Sequence, residues 1–291
     1  MAGIMRRLIQ EYQSGKITRR EFMLRAVALS GSLAAGHGWI ETLAHHDASA
    51  TEVDPNDPSL LCHDVEFAGR ATPVFGYLAR PTAIRQFPAI IIVHANQGLS
   101  EYTRDVTRRF AKQGYVGLAV DFLSRHGGTK KVNPRGEGLK NIRDLAPWYG
   151  VAEDADSGFA FLRTLPDVRA NRVGMVGFCW GGEMAFASAT LIRGLGAAAV
   201  FYGRSPKPLD LVKTIQAPVL AHYGEKDPAV NEDIAATEAT MKRYNKSYTY
   251  KIYPEAQHGF HNDTNPGRYH PKAAKEAWEK TLDFFKKHLQ D

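Results

Sequence analysis

Residues 173–186 read VGMVGFCWGGEMAF. A mostly apolar run gives way to Gly177-Phe178-Cys179-Trp180-Gly181-Gly182, and a helix-like stretch follows. A strand that turns sharply into a helix leaves no room for bulk beside the turn residue. That accounts for Gly177 and Gly181, and Gly182 extends the tolerance for close backbone approach. The pattern G-x-nucleophile-x-G between strand and helix is a nucleophile elbow, which lifts its central side chain above a sheet. The side chain also meets a helix N-terminus, whose exposed N–H groups favour an anion. Thiolate is the reactive form of cysteine, and such a terminus favours it. Taken alone, a cysteine in a glycine-rich turn is equally a structural residue.

The surrounding chain alternates strands with helices from about residue 60. HDVEFAG and PVFGYLAR read as an antiparallel opening pair, and FPAIIIVHA as a strand buried on both faces. A helix over about 101–113 ends at Gly114, and the strand YVGLAVDF follows. The Gly- and Lys-rich segment 124–140 is long enough to be a functional loop. DADSGFAFLRTL reads as a helix and RVGMVGF as the next strand; AAAVFYG, APVLAHYG and YTYKIYP complete the strands, with helices near 231–244 and 271–289. This alternation predicts a mainly parallel twisted sheet with helices on both faces. Ligands in such sheets bind at the carboxyl ends of the strands.

Asp227 follows APVLAHYG and His258 follows YTYKIYP, so both lie just past strand ends, in the chain order nucleophile, acid, base. An Asp in a turn usually caps, and a loop His is usually surface; ordered with the elbow, they form a candidate Cys179–His258–Asp227 constellation. The fold supplies oxyanion donors from the residue after the nucleophile, here the Trp180 N–H, and from the loop after FPAIIIVHA, where Asn96 is the candidate. His94 in that loop is read as an anchor.

The 291 residues carry a net charge of +6, spread along the chain, with neither a basic cluster nor interleaved aromatics to suggest nucleic acid. No run approaches the roughly 20 apolar residues of a membrane span. The two cysteines, Cys62 and Cys179, form neither a disulfide framework nor a metal-ligand spacing, and Cys62 is read as a small buried hydrophobe. Residues 16–35, KITRREFMLRAVALSGSLAA, pair Arg19-Arg20 with a short apolar stretch, which predicts a twin-arginine export leader and a periplasmic protein. The competing reading is a capped helix, Thr18 with Glu21, retained on a cytoplasmic protein. Residues 44–59 read as a linker, dividing the chain into a leader over 1–50 and one domain over 51–291.

GFCWGG, the GEKD turn, QHGFHND and the closing AAKEAWEKTLDFFKKHL resemble signatures of the dienelactone hydrolase (carboxymethylenebutenolidase-like) family of α/β hydrolases, over roughly residues 60–289. The resemblance implies an α/β-hydrolase fold and a triad of Cys179, His258 and Asp227. It further implies hydrolysis of a small ester or lactone through a thioester, with no metal or organic cofactor. Two departures stand out. The family's usual Glu in the oxyanion loop is Ala95 here, and Gln97 stands where Arg is common. No Arg lies in the segment His258-Gly259-Phe260-His261-Asn262, which argues against strict preference for an anionic lactone. Arg125, Tyr149, Tyr202 and Phe260, with Ala95 and Gln97, are the expected pocket residues, Trp148 joining them as an aromatic wall. Glu183 is read as an acid favoured by a helix N-terminus. Two rival functions remain: an idle ligand-binding member of the fold, and a thiol redox sensor exploiting a thiolate at Cys179. The sensor lacks an obvious resolving partner, because Cys62 falls near the opposite, early end of the sheet; a Cys62–Cys179 disulfide formed with peroxide would support it. Oligomeric state is open.

Overall fold

The computed structural model describes residues 52–290. The expected leader lies outside them, as does the first half of the expected linker, residues 44–51. Residues 52–53 are not a loose linker end: the Glu52 and Val53 N–H groups donate to the Asp105 carboxylate at 3.1 and 2.9 Å.

The described residues are built on one eight-stranded sheet: β1 (Leu60–Phe67), β2 (Val74–Pro81), β3 (Phe87–Val93), β4 (Val116–Val120), β5 (Val168–Phe178), β6 (Ala197–Phe201), β7 (Val219–Lys226) and β8 (Tyr248–Gln257). The order across the sheet is β1-β2-β4-β3-β5-β6-β7-β8. β2 runs antiparallel to β1 and β4, and the remaining pairs are parallel. This is the α/β-hydrolase arrangement expected from the sequence.

β3 lies between β4 and β5, and all seven of its residues are buried. Because strand side chains alternate, Ile91 and Val93 join a core on one face while Ile90 and Ile92 join a second core on the other. Two helices cover the second face. The first, α1 (Glu101–Lys112), presents Tyr102, Val106 and Phe110. It begins where the Ser100 hydroxyl accepts the Thr103 N–H, and Gly114 beyond its end takes φ +82°. The first face packs against α2 (Trp148–Leu162) and α3 (Trp180–Ser188), while α4 (Ile234–Arg243) lies farther along the chain. The closing helix α5 (Pro271–Phe285) returns to the second face through Ala273, Ala277 and Phe285.

Three boundaries differ from the sequence expectation. α2 starts at Trp148, because Val151, Ala152 and Ala155 bury themselves before the segment where the helical pattern becomes obvious. β5 starts at Val168, four residues early, with a register shift against β3. β8 runs on past Pro254 to Gln257 through an irregularity at Glu255, whose φ is +60°.

Candidate active site

Cys179 stands between β5 and α3 with φ 59° and ψ −125°, a backbone strained for any residue bearing a Cβ. The surrounding glycines make room for it. A Cβ on Gly177 would lie 2.0 Å from the Gly181 carbonyl oxygen, and one on Gly182 would lie 2.6 Å from the Phe201 oxygen. At Gly181 it would lie 2.3 Å from the His94 oxygen and 2.4 Å from that of Val93. These contacts are backbone and cannot swing aside. Gly181→Ala is therefore expected to destabilise the fold by about 3 kcal/mol or more. Urea denaturation measures it, and a midpoint like that of wild type would refute the close-approach account.

The elbow is held from β6 by the Cys179 N–H donating to Phe201 O at 3.0 Å. Two strands along, β7 and β8 pair so that Lys226 faces Gln257, which sets Asp227 and His258, one residue further on each chain, side by side. The imidazole bridges the two other groups: Nε2 lies 2.9 Å from Cys179 Sγ and Nδ1 2.6 Å from Asp227 Oδ2. Burial alone would pull the ring's pKa down, but its bonds to Asp227 and Cys179, with their charges, outweigh that and raise it from 6.5 to about 9. The Asp227 carboxylate is almost buried. Tyr202, itself buried at φ +40°, sets its ring edge-on against His258 at 5.2 Å.

The loop after β3 turns at 95–98, closed by the Gly98 N–H to Ala95 O at 3.1 Å. His94 anchors it: Nδ1–H donates to Ala95 O at 2.8 Å, and Nε2 accepts the Phe122 N–H at 3.1 Å. Acceptance at Nε2 requires the neutral ring, and burial holds its pKa below the usual value. Its ring stacks on Trp180 at 5.6 Å. Asn96 and Trp180 share with Cys179 and His258 the walls of a cavity of about 240 Å³. The Trp180 N–H, at the first position of α3, has no acceptor within the helix.

The expected pocket is corrected in several places. Tyr202 lines it, but Phe260 is fully buried beneath Tyr202, among Phe201 and Tyr253. Arg125 is bound by Glu153 and Asp154, drawn away by carboxylates on α2. Tyr149 is exposed at 59 %, because its neighbours Gly150 and Val151 take the buried side of the helix. Trp148 packs partly buried against the core. Ala95 and Gln97 spend their carbonyls on His94 and Asn133 and do not line the cavity. Glu183, in the first turn of α3, does line it, paired with Arg143.

Three cationic lining residues were missed by sequence reasoning: Lys140, Arg143 and Arg204. Arg204 lies just past the carboxyl end of β6, a position that could have flagged it. Arg143, on the short helical turn Ile142–Leu145, has no such signal. Cys62 sits on β1 with its thiol pKa pushed up by burial. Four strand positions separate it from β5, about 19 Å at about 4.8 Å each. A disulfide needs Cα atoms within about 7 Å, so the Cys62–Cys179 pairing of the redox alternative does not fit this fold.

Comparison with known proteins agrees with this architecture. Residues 74–289 match the model of the dienelactone hydrolase family. A Synechocystis protein named "Putative carboxymethylenebutenolidase" is 31% identical over 75% of this chain and 93% of its own. A Bradyrhizobium protein named "Probable 2-oxo-3-(5-oxofuran-2-ylidene)propanoate lactonase" is 33% identical over 73% of this chain and 89% of its own. A Klebsiella pneumoniae crystal structure titled as a putative dienelactone hydrolase superposes with a TM-score of 0.71 at 27% identity, covering 78% of this chain and 98% of that one.

Proposed function

The chain belongs to the dienelactone hydrolase family, and on that footing we propose that it cleaves carboxylic esters or lactones with Cys179 as nucleophile, His258 as proton carrier and Asp227 as its partner. One observation carries the assignment: the unbroken line from Sγ through the imidazole to the Asp227 carboxylate, at 2.9 and 2.6 Å. His258 takes the thiol proton, and the thiolate attacks the acyl carbon to form a C–S bond. The carbonyl π pair moves to oxygen, where the N–H groups of Asn96 and Trp180 hold the charge. Losing one such donor typically costs about 10²–10³ in rate. Collapse expels the alkoxide, which takes the proton from Nε2. Water, deprotonated by the same ring, then attacks the thioester and the acid leaves as the thiolate reforms.

Both arginines at the cavity already have carboxylate partners, Arg143 with Glu183 and Arg204 with Glu232. That balance supports a substrate range not restricted to anionic lactones. Arg19-Arg20 in the leader supports export of the folded protein, the second part of this reading.

The test uses two esters with different leaving groups. An ethyl ester expels a strongly basic alkoxide and needs the proton on His258. A p-nitrophenyl ester expels a weak base and does not. With the ring's pKa raised to about 9, turnover of the ethyl ester should fall as pH rises through that value, while p-nitrophenyl turnover holds. No hydrolysis of either ester would overturn the function; a shared alkaline limb would remove His258 as the acid.

A further inference from the structure

The residues between β4 and α2 form a strap beside the 95–98 turn, and its role is not purely architectural. We propose that Asn133 is a positioning residue, fastening the turn so that the Asn96 N–H stays aimed at the oxygen that becomes charged. The inference rests on the hydrolytic reading of the same site.

The turn leaves two carbonyls facing the strap, and the strap takes both. Asn96 O accepts the Leu139 N–H at 3.0 Å, and Gln97 O accepts Asn133 Nδ2 at 2.8 Å. The second amide hydrogen of Asn133 goes to Glu137 O at 2.7 Å, and its Oδ1 accepts the Glu137 N–H at 3.1 Å. Two partners that can only accept and one that can only donate fix the amide's orientation. Asn133 thus does two jobs: it grips the turn directly, and it folds residues 133–137 so that Leu139 reaches Asn96. Its side chain is buried, so nothing from solvent replaces these bonds.

A second clasp lies four residues earlier. Buried Asp121 accepts the Thr129 N–H at 2.7 Å and the Thr129 hydroxyl at 2.8 Å, and that hydroxyl in turn accepts the Leu99 N–H at 2.8 Å. A Cβ on Gly98 would lie 2.4 Å from Thr129 Oγ1. The turn is therefore held along its length and just past its end. Side chains of the cavity wall recognise the ester before reaction. The Asn96 peptide acts on charge that exists only in the transition state, where small misdirection is costly.

Asn133→Asp keeps the size and the Oδ1 acceptor but loses both donors; Asn133→Ala removes all three bonds. Each is assayed for kcat and KM with p-nitrophenyl acetate, for Cys179 alkylation by iodoacetamide, and for affinity toward a trifluoromethyl ketone. Alkylation displaces iodide at a saturated carbon and develops no oxyanion. With the ketone, Sγ adds to the carbonyl carbon and the π pair becomes an oxyanion in the same hole. The expected result is a kcat lower by about 10–10²-fold, up to the loss of one donor, with KM and alkylation unchanged and ketone affinity reduced in step with kcat. An unchanged kcat in both variants overturns the proposal. So does alkylation that slows in parallel with kcat, which would mean a loosened site. If wild type alkylates at Cys179 yet hydrolyses no ester, the hydrolytic reading itself fails and takes this one with it.

Discussion

Cys179→Ala should lower kcat/KM for p-nitrophenyl acetate by about 10⁴-fold or more, toward the level left by binding and oxyanion contacts alone. No other group in the cavity can replace the thiol. Glu183, the one carboxylate in the cavity wall, is engaged by Arg143. The strained backbone at 179 suits alanine no worse than cysteine, so the variant should fold and isolate the chemical loss. Rapid mixing with the ester should give wild type a burst of p-nitrophenol together with an acetyl group on Cys179 in the intact-mass spectrum. Both signals should vanish in the variant. Retention of even a tenth of wild-type turnover would move the nucleophile elsewhere.

Asp227→Asn should cost about 10⁴ in kcat while leaving the constellation in place. The carboxylate can only accept, which keeps a hydrogen on Nδ1 whether the ring is charged or neutral and reserves Nε2 for the proton exchanged with sulfur. An amide in its place can donate to Nδ1, forcing the hydrogen onto Nε2, where it blocks receipt of the thiol proton. The same change removes an attraction that raises the His258 pKa, so the alkaline limb for an ethyl ester should move below about 9. Stability follows the same sign. A raised folded-state pKa contributes fully below the free value of 6.5 and is lost as pH rises through about 9. The gap in urea midpoint between wild type and Asp227→Asn should therefore narrow across that window. A gap independent of pH would show that Asp227 stabilises the loop by other means.

What could be read from the sequence divides along physical lines. The strands, the elbow and the positions of Asp227 and His258 were legible because they depend on local pattern: β-branched runs, glycines at close approach, and residues just past a strand end. The pocket walls were not. Arg125 is claimed by Glu153 and Asp154 on α2, and Phe260 is buried by its neighbours and forms no wall. Those outcomes depend on which helix face meets which loop. The strap is legible as a long Gly- and Lys-rich loop, but its hold on the 95–98 turn runs through Asn133, which no local pattern marks out.

The pairing of β7 with β8 has a consequence in time. Cys179 leaves the ribosome well before His258, and the imidazole reaches it only after the last strand of the sheet has docked in the register that sets Lys226 opposite Gln257. Until β8 pairs with β7, an elbow at the end of β5 has no base beside its sulfur. On the proposed mechanism, the thiol lacks until then the proton acceptor that activates it. On that mechanism, the pairing that completes the sheet is also the one that brings the base to the sulfur and the His258 wall to the cavity.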